Sequence, residues 1–310
     1  MIRGSLPSFL LIGTNKSGTS TLYHVLKAHP QVFLPYKKEL HFFNDDGNYA
    51  KGRGWYIESF FEGAPASAVS GDITPNYLYF GEKVIPRIAA TYGDALPRMV
   101  VILRDPVARA YSRYWHHRRV DGREPLSFEE ALEAEPERLR ADAAGDASRG
   151  RFPLAYFHGG LYGEQLERYF AAFPRDRFHV MFFDDLQRDF DGTVRGLLAF
   201  LGVDTTVAIE AVRAHQASVT RAAGLDSWLR SRALVGRFVK GVLPDVALSR
   251  VRKLLRRLFL RPFTYPPMHP DTERSLRARY EPDVAKLEAL IGRDLTAWRP
   301  RQATAANIRS

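Results

Sequence analysis

The residues Gly13-Thr14-Asn15-Lys16-Ser17-Gly18-Thr19-Ser20 gather two glycines, a lysine and four hydroxyls into one short stretch. An apolar run precedes them and the amphipathic run Thr21-Leu22-Tyr23-His24-Val25-Leu26 follows, which spells strand, glycine-rich loop, helix. Backbone N–H groups of such a loop converge, and the start of the helix adds positive partial charge, so the turn is built to hold an anion. The two glycines keep the five-residue offset of a Walker A loop, but the lysine does not. Walker A closes on Gly-Lys-Ser/Thr, whereas Gly18 is followed by Thr19 and the lysine lies inside the loop at Lys16. A nucleoside-triphosphate hydrolase also uses an acidic residue to hold magnesium. Here the strand Met99–Leu103 ends in Arg104-Asp105-Pro106, and a cation at that strand end suits a second phosphate better than a metal. Glu39 and His41 alternate in Lys38-Glu39-Leu40-His41-Phe42-Phe43, a pairing open to acid–base work or to plain solvent exposure. His116 and His117 are adjacent, and adjacent residues of a helix point to different faces, so they do not make a metal site.

The elements that must position these groups follow from periodicity. Short apolar runs predict strands over Phe9–Ile12, Val32–Leu34, Ala68–Gly71, Met99–Leu103 and Phe178–Phe183. Amphipathic stretches predict helices over Thr19–Ala28, Glu82–Tyr92, Pro106–Arg118, Phe128–Arg140, Gly160–Ala172, Phe190–Leu201 and Thr272–Ile291. Asp105 can cap the helix that Pro106 opens. Strands alternating with helices predict an α/β, P-loop-like, three-layer fold: a central, mostly parallel sheet flanked by helices. The whole of 1–310 reads as a single domain. Residues 133–151, rich in Ala, Glu, Arg, Asp and Gly, read as a mobile surface insertion.

The 310 residues are 45% hydrophobic and 26% charged, which excludes a disordered chain. The absence of cysteine excludes disulfides, Cys-ligated metals and thiol nucleophiles. The net charge of +10 points to an anionic partner, and its distribution narrows the choice. Residues 221–261 hold eleven basic and two acidic side chains, a net +9, with Leu248, Val251, Leu254, Leu255 and Leu258 at helical spacing. That pattern predicts basic amphipathic helices that pack on the core or meet an anionic membrane surface or acidic acceptor. The remainder is nearly neutral, so no nucleic acid is expected as partner. No run reaches the roughly 18 apolar residues of a membrane span, and the expectation is a cytoplasmic protein with peripheral membrane contact through 221–261.

Four segments in this order resemble the PAPS-dependent sulfotransferases, in particular the heparan-sulfate-type and related bacterial ones. They are Gly13–Thr21; Lys38–Phe43; Ile102–Val107 through Tyr111-Ser112; and Gly160-Leu161-Tyr162, Gln165-Leu166, Tyr169 and Phe173 with Phe182–Asp189 and Phe200-Leu201-Gly202. The resemblance spans about Phe9 to Trp298. It implies transfer of a sulfuryl group from PAPS (3′-phosphoadenosine 5′-phosphosulfate) to an acceptor hydroxyl of a glycan, glycolipid or other metabolite, leaving PAP. Glu39 matches the family's general base, and His41 a neighbouring histidine that positions the acceptor. Lys16 would stabilise charge on the bridging oxygen. Ser17, Gly18, Thr19 and Ser20 would cradle the 5′-phosphate, and Arg104 and Ser112 would bind the 3′-phosphate that distinguishes PAPS from ATP. The resemblance requires no metal.

Two departures stand out. Heparan-sulfate-type enzymes carry a lysine in a Glu-Lys-Thr-Pro-like segment, and this chain has Gly71-Asp72-Ile73-Thr74-Pro75, with Ile73 in its place. The family's C-terminal Lys-Gly-Arg loop is also missing; Phe263–Pro270 occupies its place, with Arg261, Tyr265 and His269 as possible substitutes. Two rival readings remain at this level. A P-loop-like nucleotide kinase would need a magnesium site that the sequence does not display. A non-catalytic polyanion or membrane-surface binder on the same fold would leave Lys16, Glu39, Arg104 and Ser112 without a purpose.

Overall fold

Phe9, Leu10, Leu11 and Ile12 are four consecutive apolar residues, and all four are fully buried. A strand sealed on both faces is the signature of a parallel sheet's centre, and in the computed structural model this run is β1 (Phe9–Gly13), the middle strand. The structure describes residues 4–144, 153–207 and 265–300. The other strands are β2 (Val32–Phe33), β3 (Val69–Ile73), β4 (Arg98–Leu103) and β5 (Phe178–Phe182). Their order is β2-β3-β1-β4-β5, every pairing parallel. Met99 through Leu103 are as fully buried as β1. Phe9 pairs with Gly71 and needs that glycine: a Cβ there would lie 2.1 Å from the Phe9 ring.

Helices α1 (Thr19–Ala28), α2 (Asp46–Tyr49), α3 (Gly52–Phe60), α4 (Gly81–Tyr92) and α5 (Pro106–His116) follow in the first half. Then come α6 (Phe128–Ala144), α7 (Tyr162–Ala172), α8 (Phe183–Arg188), α9 (Phe190–Leu201) and α10 (Pro270–Ile291). All five expected strands and all seven expected helices outside 221–261 are present, with ends shifted by a few residues. Asp105 caps α5, its Oδ1 accepting from Val107 N at 2.9 Å and Ala108 N at 3.1 Å. The short helices α2, α3 and α8 are additions to the sequence reading.

Part of the stretch read as an insertion is structural. Residues 133–144 continue α6, and the buried Glu135 carboxylate accepts from the backbone N–H groups of Tyr156, Phe157 and His158, each at 2.8 Å. Residues 145–151 of that stretch, and the basic segment 221–261, lie outside the described residues.

The chain divides into two compact units. The first comprises Met1–Arg113, Leu126–Val207 and Met268–Ser310, and carries the whole sheet. In it α10 packs along α7, where the Asp283 carboxylate takes the N–H groups of Gly163 and Glu164 at 2.9 Å each and so caps the start of α7. The second unit comprises Tyr114–Pro125 and Ala208–Pro267; in its described part Trp115 and Tyr265 stack with ring centroids 5.9 Å apart.

The connection leaving β1 runs to the β2–β3 side of the sheet, and the connection leaving β4 runs to β5 on the other side. Such a reversal opens a crevice at the carboxyl ends of the two adjacent strands, here β1 and β4. The loop 14–18 and Arg104 emerge at those ends.

Candidate active site

The loop after β1 turns on two residues of positive φ, Lys16 at 69° and Gly18 at 94°. Gly18 has a second constraint. A Cβ on it would stand 3.1 Å from the Phe183 ring and 3.3 Å from Leu186, so α8 approaches this backbone as closely as a glycine permits. Arg104, just beyond β4, lays its guanidinium over the same Phe183 ring, 4.8 Å from its centroid. Its Nη1 donates to the Lys16 carbonyl at 3.0 Å. The sequence-predicted cation at the strand end and the sequence-predicted anion loop are therefore in direct contact. Ser17 is fully buried, and its Oγ has no hydrogen-bond partner.

Glu39 and His41 also hold left-handed backbones, φ 62° and 55°. They lie on a loop, not on the strand edge that their alternation also allowed. The cause is the residue between and those after: Leu40, Phe42 and Phe43 are buried to within 1%. Burying these three turns Glu39 and His41 outward, with side chains 42% and 28% exposed. Non-glycine residues in this region are strained, and the surrounding bonds that hold them are specific. Glu39 N donates to the Ile73 carbonyl at 3.1 Å. Phe42 N and Phe43 N donate to the Tyr77 hydroxyl at 3.0 and 3.4 Å. Tyr77 in turn donates to Asp72 Oδ2 at 2.7 Å, as does Tyr56 at 2.7 Å, while Thr74 Oγ1 donates to Asp72 Oδ1 at 2.6 Å. Asp72 is completely buried. Burial raises its pKa, and the three hydroxyl donors pull it back only in part. His41 Nε2 stands 3.8 Å from Glu39 Oε2, and its Nδ1 lies 3.2 Å from Asn44 Oδ1.

Lys38 joins the two halves. Its Nζ donates to Ser20 Oγ at 2.9 Å and Thr19 Oγ1 at 3.4 Å, and stands 3.6 Å from Glu39 Oε1. Burial lowers its pKa, against an opposing pull from Glu39. Lys38 is a site residue beyond the Glu39 and His41 expected from this motif, and the signal for it is a lysine directly beside the candidate base. Ile73 is buried, 3% exposed, at the end of β3. Lys38 places an ammonium beside Glu39 from the other strand connection.

The Sulfotransferase domain model matches residues 6–222, a stretch that includes the loop, Glu39 and Arg104. The chain belongs to the sulfotransferase family. A sulfotransferase of known structure from Alicyclobacillus acidocaldarius is 30% identical, with a TM-score of 0.66 over 95% of this chain and 99% of that one. The human bifunctional heparan sulfate N-deacetylase/N-sulfotransferase 3 is 28% identical over 94% of this chain and 31% of its own length. The mouse heparan sulfate glucosamine 3-O-sulfotransferase 5 is 28% identical over 57% of this chain and 47% of its own. The chain thus spans less than half the length of these two curated relatives.

In this member of the sulfotransferase family the structure brings together Lys16, Ser17, Gly18, Thr19, Ser20, Glu39, His41 and Arg104. Ser112 is buried on the second turn of α5, the helix that starts just beyond Arg104, and makes no hydrogen bond to the loop. Of the residues named for the missing C-terminal loop, His269 caps α10, its Nδ1 accepting from Asp271 N at 3.3 Å. Tyr265 belongs to the second unit, and Arg261 lies outside the described residues.

Proposed function

We propose that this chain transfers a sulfuryl group from PAPS to a hydroxyl acceptor, on a glycan, a glycolipid or another metabolite, releasing PAP. The observation that carries the reading is the Lys38 ammonium shared between the loop hydroxyls of Thr19 and Ser20 and the carboxylate of Glu39. An anion-binding loop alone serves many chemistries. An anion loop tied within one side chain's reach of an exposed carboxylate serves group transfer to a nucleophile that must lose a proton.

The residues present fit the donor. Ser17 Oγ is a buried donor without a partner, and Thr19 and Ser20 accept from Lys38 while keeping their own hydroxyl hydrogens to donate. PAPS, when bound, supplies the sulfuryl group and a phosphate leaving group. Ser17, Gly18, Thr19 and Ser20 hold the 5′-phosphate, and Arg104 with Ser112 holds the 3′-phosphate. Lys16 meets the negative charge that grows on the bridging oxygen as its bond to sulfur breaks. Glu39 takes the proton of the acceptor hydroxyl as that oxygen bonds to sulfur. His41, tied to Asn44, orients the acceptor beside Glu39. The test is a transfer screen with ³⁵S-labelled PAPS against glycan, lipid and phenolic pools. A labelled sulfate ester is expected, and labelled product from none of the pools contradicts the reading.

A further inference from the structure

At the opposite, amino-terminal edge of the sheet lies a second cleft, of about 430 Å³. Arg53, Arg98 and Arg177 line it, with Ser5 and an apolar floor that includes Leu6 and Leu96. Arg98 is the first residue of β4, Arg177 directly precedes β5, and Arg53 lies in the first turn of α3. At about 3.3 Å per residue, a five-residue strand puts roughly 16 Å between this edge and the Gly13–Ser20 loop.

The charge of this cleft is uncompensated. No acidic residue lines it, and none of the three arginines has a carboxylate partner among the described residues. Elsewhere in the same unit arginines are matched: Arg87 with Asp46, Arg277 with Asp105 and Glu273, Arg293 with Asp185. Arg98 Nη1 donates to the Leu201 carbonyl at 3.0 Å and Arg177 Nη1 to the Leu96 carbonyl at 3.3 Å. Those bonds engage one nitrogen of each and fix the direction of the guanidinium. The Arg98 guanidinium is spent against Leu201 and Gly202, which do not line the cleft, whereas the remaining donors of Arg177 and the exposed Arg53 are left for a ligand.

We infer that this cleft binds a small organic phosphate: a dianionic phosphate monoester with an apolar body. The two guanidinium forks of Arg53 and Arg177 match phosphate oxygens in pairs. Their charge favours a dianion over the single charge of a sulfate monoester. The volume falls in the range of small-molecule sites, roughly 300–1,000 Å³, and the apolar floor gives the ester's body a place. The inference stands apart from the transfer reaction and does not depend on it.

The test is calorimetric titration with phenyl phosphate, phenyl sulfate and inorganic phosphate. It is run on the wild type with excess PAP, and on Lys16→Ala without PAP, so that the loop is removed from the measurement in two ways. One equivalent of phenyl phosphate should bind in both, more tightly than the other two probes. Affinity should fall at least tenfold in Arg53→Gln/Arg177→Gln and severalfold in Arg53→Gln alone, which touches an exposed side chain and keeps the fold. Absence of saturable heat, or equal affinity in wild type and Arg53→Gln, overturns the site. Tighter binding of phenyl sulfate than of phenyl phosphate overturns its assignment to phosphate.

Discussion

Lys38 serves two neighbours at once, and its protonation sets whether it can. Charged, it draws the loop hydroxyls and Glu39 into one array; neutral, it keeps a hydrogen bond but loses the attraction to the carboxylate. Burial lowers its pKa, so the charge is lost at lower pH than for an ordinary lysine. The alkaline limb of the pH–rate profile is therefore expected below the usual lysine range. Lys38→Arg, which stays charged, should move that limb to higher pH, and Lys38→Met should abolish it while lowering kcat. An unmoved limb in both variants would show that another group sets it. Legibility at this scale depended on contiguity. Lys16 through Ser20 read plainly because their chemistry is packed into adjacent positions. Lys38 did not, since a lysine beside a glutamate is also an ordinary solvated surface pair.

Between β3 and the Glu39–His41 turn, a buried carboxylate acts as a clasp. Asp72 takes three hydroxyl donors, and one of them, Tyr77, passes the link to the backbone of Phe42 and Phe43. Tyr77→Phe keeps the ring and deletes the link. It leaves an Asp72 oxygen one donor short and two buried N–H groups without their acceptor, a loss of about 1–3 kcal/mol, read as a lower Tm. PAP affinity should hold, because the loop after β1 is untouched, while kcat should fall as the Glu39 turn loosens. A kcat equal to that of wild type would detach the clasp from the site. None of this clasp was legible in sequence, because Tyr56, Asp72 and Tyr77 meet only through the fold. The strands were legible because runs such as Phe9–Ile12 are uniformly apolar. Helices α2, α3 and α8 were not: α2 and α8 are too short to show a period, and α3 opens on Gly52-Arg53-Gly54 with little amphipathic contrast.

Over the whole molecule, the charge of +10 is a poor guide to the site. Residues 221–261 carry +9 of it, and the rest of the chain is close to neutral, with arginines such as Arg87, Arg277 and Arg293 held in ion pairs. The proposed function assigns discrimination of the donor to a few placed cations, Lys16, Lys38 and Arg104, rather than to bulk attraction. PAP should accordingly raise the Tm more than ADP does at equal concentration, since only PAP carries the 3′-phosphate assigned to Arg104. Arg104→Ala should bring the two shifts together. Larger stabilisation by ADP with magnesium would favour a kinase. The most direct test of the central claim is the rate of ³⁵S transfer from labelled PAPS by wild type and Glu39→Gln, measured beside the PAP affinity of each. The account predicts that the amide lowers turnover by roughly 10²–10⁴-fold with PAP affinity nearly unchanged. Wild-type turnover in Glu39→Gln would contradict it.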